Sequence, residues 1–233
     1  MTVVAIIPAR GGSKRVHKKN LKLCGGKPLI QWSIDAAYES GVIDTILVTS
    51  DDPDIVGLAH NLGVDFPHLR PAHLAQDDTE MLPVLKEAVE VLEQEIDNIR
   101  LIVLLQPTSP LRRSEQIKDA IVLFQSREVD SVVSVMQLPH RFSQSKWLDL
   151  DGEFVQPVSN DDFVNFEQRG RLVRNGPAIL ITKPKLIKQS ELYGNRSVPY
   201  FMDEESSIDI DNPIDFAIAD MLLFARQNDS QRP

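Results

Sequence analysis

The chain has 233 residues, enough to bury a large core within one domain. Its net charge of −9 argues against a broad nucleic-acid or membrane surface, because both require a basic face. The composition, 42% apolar and 25% charged, is typical of a globular protein. A single cysteine, Cys24, has no partner for an internal disulfide and is predicted to be a buried loop thiol. With no signal-like N-terminal segment, the sequence favours a cytoplasmic protein.

Short apolar runs alternate with amphipathic patterns through most of the chain. The runs predict strands over residues 3–7, 45–48, 101–105, 131–136 and 178–182. A period near 3.6 residues predicts helices over residues 29–40, 52–62, 79–95, 114–125 and 212–226. This β-α-β-α order predicts a parallel sheet with helices on both faces.

The C-terminal third departs from this alternation. Residues 138–175 are polar and weakly periodic, which predicts an inserted β-hairpin or dimer-forming arm within a single domain over residues 1–233. The closing helix is predicted to turn five apolar side chains to the core: Ile214, Ala217, Ile218, Met221 and Leu222. The polar tail at 227–233 is predicted to fray.

A basic loop (residues 10–20) follows the first predicted strand directly. Its cations are Arg10, Lys14, Arg15, Lys18 and Lys19, with a weaker contribution from His17. Ligands of parallel α/β sheets bind beyond the carboxyl ends of strands, and Gly11 and Gly12 let the backbone approach a ligand closely. The loop lacks both the Gly-Lys-Ser/Thr ending of a P-loop and the dinucleotide glycine pattern. It therefore indicates a triphosphate site of another kind, with a solvated basic loop as the alternative.

A second polar segment follows the buried run at 101–105 and reads Gln-Pro-Thr-Ser-Pro-Leu-Arg over residues 106–112. Its two prolines predict a rigid turn at the end of the strand. Gln106 carries both a donor and an acceptor, which suits a base edge or sugar hydroxyls. The alternative is a turn that only leads into the helix at Ser114.

Two aspartates lie in the segment Ile208-Asp209-Ile210-Asp211. In an extended backbone Asp209 and Asp211 share one face, while the isoleucines face the core. Two carboxylates on one face suit Mg²⁺, which is commonly held by one or two carboxylates plus substrate phosphates. The alternative for Asp211 is a helix cap before Pro213.

A fourth segment, Arg174-Asn175-Gly176-Pro177, is a turn signal that enters a strand. Together and in this order, the four segments resemble the acylneuraminate cytidylyltransferases, which make CMP-sialic acid and related CMP-nonulosonic acids. The resemblance spans about residues 3–222. Its most specific motifs are Ile-Pro-Ala-Arg-Gly-Gly-Ser-Lys at 7–14 with Lys19-Asn20, Leu-Gln-Pro-Thr-Ser-Pro-Leu-Arg at 105–112, and Asp-Ile-Asp at 209–211.

The resemblance implies a three-layer α/β sandwich with a mostly parallel nucleotide-binding sheet and a small arm that completes a homodimer. It implies a transferase reaction in which the anomeric hydroxyl of a free acidic nine-carbon sugar attacks the α-phosphate of CTP and releases pyrophosphate. Such enzymes supply cell-surface polysaccharide biosynthesis.

The resemblance also assigns roles to individual residues. Those expected to bind the nucleotide are Arg10, Gly11, Gly12, Ser13, Lys14, Lys19, Asn20, Arg70 and Gln106. Those expected to bind the sugar are Gln106, Arg174, Asn175 and Gly176. Asp209 and Asp211 are expected to hold Mg²⁺ or Mn²⁺, and the expected catalytic residues are Arg10, Lys19 and Asp211. The proton acceptor stays open between Asp211 and a metal-bound hydroxide.

The sequence departs from the family pattern in three places. Glu-Met-Leu follows Asp78-Thr79 where the family often has a nucleotide-contacting serine, so residues 80–82 receive no role. The stretch 171–174 lacks the usual tyrosine, and the strand reads Pro-Ala-Ile-Leu-Ile at 177–181 instead of Gly-Ala-Ile-Tyr-Ile. These departures lie near the sugar and leave sialic, legionaminic and pseudaminic acids open as substrates.

Several other functions use similar residues. A 3-deoxy-manno-octulosonate cytidylyltransferase or a sugar-1-phosphate nucleotidyltransferase would share the fold, but the basic loop motif and the Asp-Ile-Asp segment argue against both. A metal-dependent glycosyltransferase would consume a nucleotide sugar and release no pyrophosphate. A non-catalytic nucleotide-binding regulator would keep the basic loop without needing both aspartates.

Overall fold

The computed structural model describes residues 2–137, 148–151, 154–157 and 173–230, with side chains described for 2–137 and 178–228. The strands are β1 (Thr2–Pro8), β2 (Leu23–Cys24), β3 (Lys27–Pro28), β4 (Thr45–Ser50), β5 (Phe66–Leu69), β6 (Ile99–Leu104), β7 (Ser131–Gln137), β8 (Leu148–Asp151), β9 (Phe154–Pro157), β10 (Val173–Thr182) and β11 (Ser197–Phe201). The helices are α1 (Leu29–Glu39), α2 (Pro53–Asn61), α3 (Met81–Glu95), α4 (Ser114–Gln125), α5 (Pro184–Lys188) and α6 (Pro213–Ser230).

A seven-stranded sheet in the order β11-β7-β10-β6-β1-β4-β5 forms the centre of the protein. Its neighbouring strands are parallel except where β10 pairs with β6 and β7. The predicted α/β fold with a mostly parallel sheet is therefore confirmed. The predicted strands all occur, but β5 and β11 were not predicted. Both are edge strands, and both contain a proline (Pro67 or Pro199), which edge positions tolerate.

Hydrophobic cores lie on both faces of the sheet, as the alternation of side chains along β1 shows. Ala5 and Ile7 pack into a core with α1, α2 and α4. Val4 and Ile6 point to the other face and pack with α3 and α5. All four side chains are fully buried. Two cores on opposite faces make the sandwich three-layered, as expected.

A third apolar cluster lies under α6 and includes Cys24 and Ile210. Burial raises the pKa of the Cys24 thiol to about 12, which fits the predicted structural role of this cysteine. Because Ile210 belongs to this cluster, the closing helix packs directly on the segment that carries the two predicted metal ligands.

The inward face of α6 differs from the prediction. The cluster-facing residues are Phe216, Ala219 and Leu223, with Leu222 half-buried. The predicted residues Ile214, Ala217, Ile218 and Met221 are instead exposed. The helix is apolar almost all round, so its periodicity does not select a face; polar contacts do, such as that of Asp220, which accepts a hydrogen bond from the Gly25 N–H at 2.6 Å.

The described part of α6 also reaches further than predicted, to Ser230, so residues 227–230 are helical and not frayed. Among the described residues, no helix combines the length and apolarity needed to cross a bilayer.

Within the predicted insertion at 138–175, β8 and β9 form an antiparallel pair. The strand β10 begins at Val173, earlier than the predicted 178, because its first residues pair with the end of β7. Much of the insertion lies outside the described residues, so the dimerisation arm stays a prediction.

Candidate active site

A cavity of about 550 Å³ opens at the carboxyl ends of β1, β5 and β6. This is the position expected for ligands of parallel α/β sheets, and the volume lies within the roughly 300–1,000 Å³ of small-molecule sites. The lining includes the predicted residues Arg10, Ser13, Lys14, Lys19, Asn20, Arg70, Gln106 and Asp211. Residues far apart in the sequence are thus brought to one cavity.

The basic loop is anchored to the protein at its beginning. The Asn20 side chain donates to the Arg10 carbonyl at 2.9 Å. The Gly11 N–H donates to Asp51 Oδ1 at 3.0 Å, and a Cβ on Gly11 would lie 2.7 Å from the Cβ of Asp52. Gly11 is therefore needed for close packing against the start of α2. Its N–H is used within the protein, and the ligand contacts expected of Gly11 and Gly12 stay predictions.

Three of the cations that line the cavity have acidic partners. Arg10 Nη1 lies 3.0 Å from Asp77 Oδ1, and Lys14 forms an ion pair with the same carboxylate. A hydrogen bond from Lys14 is the main cause that lowers the pKa of Asp77. On the opposite side Arg15 Nη1 lies 3.8 Å from Asp211 Oδ1. An anionic ligand entering the cavity has to compete with Asp77 for Arg10 and Lys14.

Lys19 joins the basic loop to the aspartate segment (residues 208–212). Its Nζ donates to the Ile210 carbonyl at 2.6 Å, while the Ile210 N–H donates to the Thr108 carbonyl at 2.8 Å. Burial lowers the pKa of Lys19, and the nearby carboxylates of Asp209 and Asp211 oppose this shift. With Ile210 fully buried, the aspartate segment is fixed through its backbone and its central side chain.

The cap of α6 is Asn212, so the alternative role of Asp211 is wrong. Asn212 Oδ1 accepts from the N–H groups of Ile214 at 2.8 Å and Asp215 at 3.1 Å. The Asp215 carboxylate in turn accepts from the N–H groups of Asp211 and Asn212. The carboxylate of Asp211, with 61% of its side chain exposed, is left to line the cavity beside Arg15.

The donor set at the aspartate segment fits a hard divalent cation. Asp211 lines the cavity, whereas Asp209 is not among the described residues that line it. Both carboxylates act to raise the pKa of Lys19. In the described parts of the chain no group of three or more His, Cys, Asp or Glu side chains forms a metal site. Two carboxylates in one short segment, of which Asp211 lines the open cavity, suit Mg²⁺, which keeps coordination positions for phosphates and water.

Arg70 and Gln106 lie deeper in the cavity wall. Arg70 is 5% exposed and donates to the Thr49 carbonyl at 3.2 Å, and burial lowers the pKa of its guanidinium. Its buried Nε has no acceptor within the described residues. An unmatched buried donor costs about 1–3 kcal/mol, so a ligand oxygen here would be stabilised. The backbone of Gln106 is held by Arg112 and Ser33, which both donate to its carbonyl.

Three of the four residues expected to bind the sugar, Arg174, Asn175 and Gly176, lie within β10, so the turn predicted at 174–177 is instead part of a strand. Arg174 pairs with Met136 and Asn175 with Val135. The side chains of Arg174 and Asn175 lie outside the described set, so the sugar contacts expected of residues 174–176 stay predictions. Asp77, Thr108 and Arg112 received no role from the sequence. The only sequence signal for Asp77 is the acidic pair that it forms with Asp78.

The sequence as a whole matches a known family. The sequence profile of the family described as Cytidylyltransferase matches residues 4–214. The chain is 33% identical over 229 residues to CMP-N,N'-diacetyllegionaminic acid synthase of Legionella pneumophila, covering 97% of this chain and 98% of that protein. It is 33% identical over 227 residues to N-acylneuraminate cytidylyltransferase of Escherichia coli O18:K1:H7, covering 93% of this chain and 51% of that protein. It therefore spans about half the length of the second relative.

The fold also matches a solved structure. CMP:2-keto-3-deoxy-manno-octonic acid synthetase, solved in complex with CTP, superimposes with a TM-score of 0.68 over 97% of this chain and all of that one. The identity is 16%, so this likeness establishes the fold alone.

Proposed function

Because the chain belongs to the cytidylyltransferase family, we propose that it couples CTP to a free nonulosonic acid and releases pyrophosphate. The observation that carries this proposal is the Lys19–Ile210 contact of 2.6 Å, which joins the basic loop to the aspartate segment at the cavity that Asp211 lines. Transfer of a nucleotidyl group depends mainly on positioning and charge neutralisation, and this arrangement supplies both. The 33% identity to a legionaminic acid synthase over nearly both full lengths supports an acidic nine-carbon sugar as acceptor.

Mg²⁺ is the proposed metal, held by Asp209 and Asp211, with Mn²⁺ as a possible substitute. Bound there, the metal would neutralise phosphate charge and lower the pKa of the attacking hydroxyl. The fit rests on the chemistry of two carboxylates in one segment and on the exposure of Asp211 to the cavity.

Other residues at the cavity have separate proposed roles. Arg10 and Lys14 neutralise the triphosphate once its phosphates replace Asp77 as their ion-pair partner. The Lys19 ammonium supplies a positive charge between the phosphates and the aspartates. Arg70 donates its unmatched Nε to the nucleotide. The anomeric hydroxyl of the acid attacks the α-phosphorus, the bond to pyrophosphate breaks, and the Asp211 carboxylate accepts the hydroxyl proton.

We further propose a cytoplasmic homodimer that serves cell-surface polysaccharide biosynthesis. The family resemblance supports the dimer, with residues 138–175 as the arm. The buried thiol Cys24 is compatible with a reducing compartment.

The decisive test is pyrophosphate release from CTP and Mg²⁺ with a panel of free sialic, legionaminic and pseudaminic acids and 3-deoxy-manno-octulosonate. We expect release with at least one nine-carbon acid and formation of its CMP conjugate, detected by mass spectrometry. UTP and GTP with sugar 1-phosphates serve as the control donors and acceptors. Turnover confined to those controls, or to the eight-carbon acid, would contradict the proposal.

A further inference from the structure

Arg112 is a buried cation at the junction of three structural elements. It is 4% exposed, and burial lowers the pKa of its guanidinium to about 9. Its acceptors are one hydroxyl and two backbone carbonyls, all neutral. Burying a charge beside neutral acceptors is costly, and an apolar side chain of similar size would avoid that cost. What the position uses is therefore the fixed fork of donors that only arginine presents.

The fork connects the cavity to the antiparallel strand of the sheet. Nη1 donates to the Ala178 carbonyl in β10 at 2.7 Å and to the Gln106 carbonyl at 3.3 Å. Nη2 donates to Ser33 Oγ in α1 at 2.6 Å, and this hydroxyl lies 3.4 Å from the same Gln106 carbonyl. One side chain thus joins α1, the turn after β6, and β10.

The bond to Ala178 falls where β10 loses its regular pairing. The register between β10 and β7 shifts between Asn175 and Leu180. Inside this irregular stretch the Ala178 carbonyl accepts from Arg112, and the next N–H donates to a serine hydroxyl of β7. Side chains therefore replace strand partners here, directly after residues 174–176, which are expected to contact the acid.

We propose that Arg112 is a positioning residue that sets the distance between Gln106 at the cavity and the irregular stretch of β10. This inference rests on the proposed function and on the roles that the family resemblance implies, in which Gln106 binds both nucleotide and acid and residues 174–176 of β10 bind the acid. Arg112 acts through other residues: its Nη1 fixes the backbone carbonyls of Gln106 and Ala178, which belong to the two segments expected to bind the acid.

The first test is amide hydrogen exchange on Arg112→Lys, without any substrate. Lysine keeps the charge and the long stem, but its single nitrogen lacks the planar fork that spans three acceptors. We expect faster exchange in peptides over residues 104–111 and 173–183, with β1 and β4 unchanged. Unchanged exchange, or an equal increase over the whole sheet, would show that Arg112 does not link these two segments. This result does not depend on the reaction.

The second test compares the kinetics of Arg112→Lys with the wild type. We expect kcat/KM for the acid to fall about tenfold or more, while KM for CTP changes by less than about twofold. Ser33→Ala removes one hydrogen bond of the Arg112 guanidinium. It should also lower kcat/KM for the acid while KM for CTP hardly changes, but by a smaller factor. Equal losses for CTP and for the acid would contradict a positioning role on the acid side.

Leu92→Ala is the matched control for general destabilisation. Leu92 is fully buried in α3, on the other face of the sheet. Leu92→Ala should lower Tm without a selective fall in kcat/KM for the acid. If this variant also lost kcat/KM for the acid while KM for CTP stayed unchanged, the proposal would be overturned. If the wild-type enzyme turns over no acid, the proposed function fails, and the exchange experiment decides the role of Arg112 alone.

Discussion

The two walls of the cavity are built in different ways. The basic loop presents exposed cations: the side chains of Lys14 and Arg15 are 76% and 70% exposed, and their partners are surface acids. The aspartate segment is fixed, because Ile210 is fully buried and both of its backbone groups are hydrogen-bonded. The basic loop therefore supplies exposed charges, and the aspartate segment supplies groups that are held in a fixed position. Changes in the first should act on CTP affinity and depend on salt, whereas changes in the second should act on turnover.

The largest effect is expected from the aspartates. Asp209→Asn and Asp211→Asn keep the shape of the segment but remove a carboxylate, and we expect turnover to fall about 10²–10³-fold. Pyrophosphate release measured over a Mg²⁺ titration checks this, and excess metal should not restore the rate. Asp54→Asn, which changes a surface carboxylate paired with Lys18, is the control. If Asp209→Asn turned over at the wild-type rate, the assignment of Asp209 as a metal ligand would be wrong.

The next effect concerns Lys19, the contact between the two walls. Burial lowers the pKa of Lys19 below its usual 10.5, so the ammonium loses its proton at a lower pH than an exposed lysine. Because the charged form is required, kcat/KM for CTP should fall on the alkaline side before pH 10.5 is reached. In Lys19→Arg this decline should disappear, since arginine stays protonated, although the rate at neutral pH drops about tenfold. An alkaline limb that is the same in both enzymes would assign it to another group.

A smaller, salt-dependent effect should separate two lysines of the same loop. Lys14 faces the cavity, whereas Lys18 pairs with Asp54 at 3.1 Å. Lys14→Ala should raise KM for CTP about three- to tenfold at low salt, and less at high salt, because exposed charges are screened. Lys18→Ala should leave KM unchanged. A similar change in both variants would mean that the whole loop attracts CTP without specific contacts.

The smallest effect is expected at Asp77, and it has the opposite sign. This carboxylate binds Arg10 and Lys14, the cations that a triphosphate needs. Asp77→Asn should therefore lower KM for CTP about two- to threefold, a typical size for exposed ion pairs. Initial rates over a CTP titration measure it. A higher KM would instead indicate that Asp77 takes part in binding the substrate.

The sequence predicted the central strands and most helices, because their apolar runs are long and regular. It missed β5 and β11, which lie at the two edges of the sheet and are short and interrupted by proline. It also assigned the wrong face to α6. That helix is apolar on most sides, and its orientation depends on contacts with residues near position 25, far away in the sequence.

The candidate site divides in the same way. Clustered cations after a strand, or two aspartates on one face, are local patterns, and the structure brings the basic loop and Asp211 to one cavity. Asp77 is different, because its partner Arg10 lies 67 residues away. The Arg112 contact with Ala178 spans 66 residues. No local pattern reports such pairs, since they arise only when the strands of the sheet are assembled.

The insertion between β7 and β10 has a consequence for grafting. Gln137 and Val173, the last and first strand residues on either side of it, are paired neighbours in the sheet. Closing a longer loop between fixed ends is inexpensive, at about 0.6 kcal/mol per doubling of its length. A chimera that keeps both flanking strands and takes this segment from a relative should therefore form the same sheet. The junction is a natural site for exchanging whole segments among cytidylyltransferases of different acid preference.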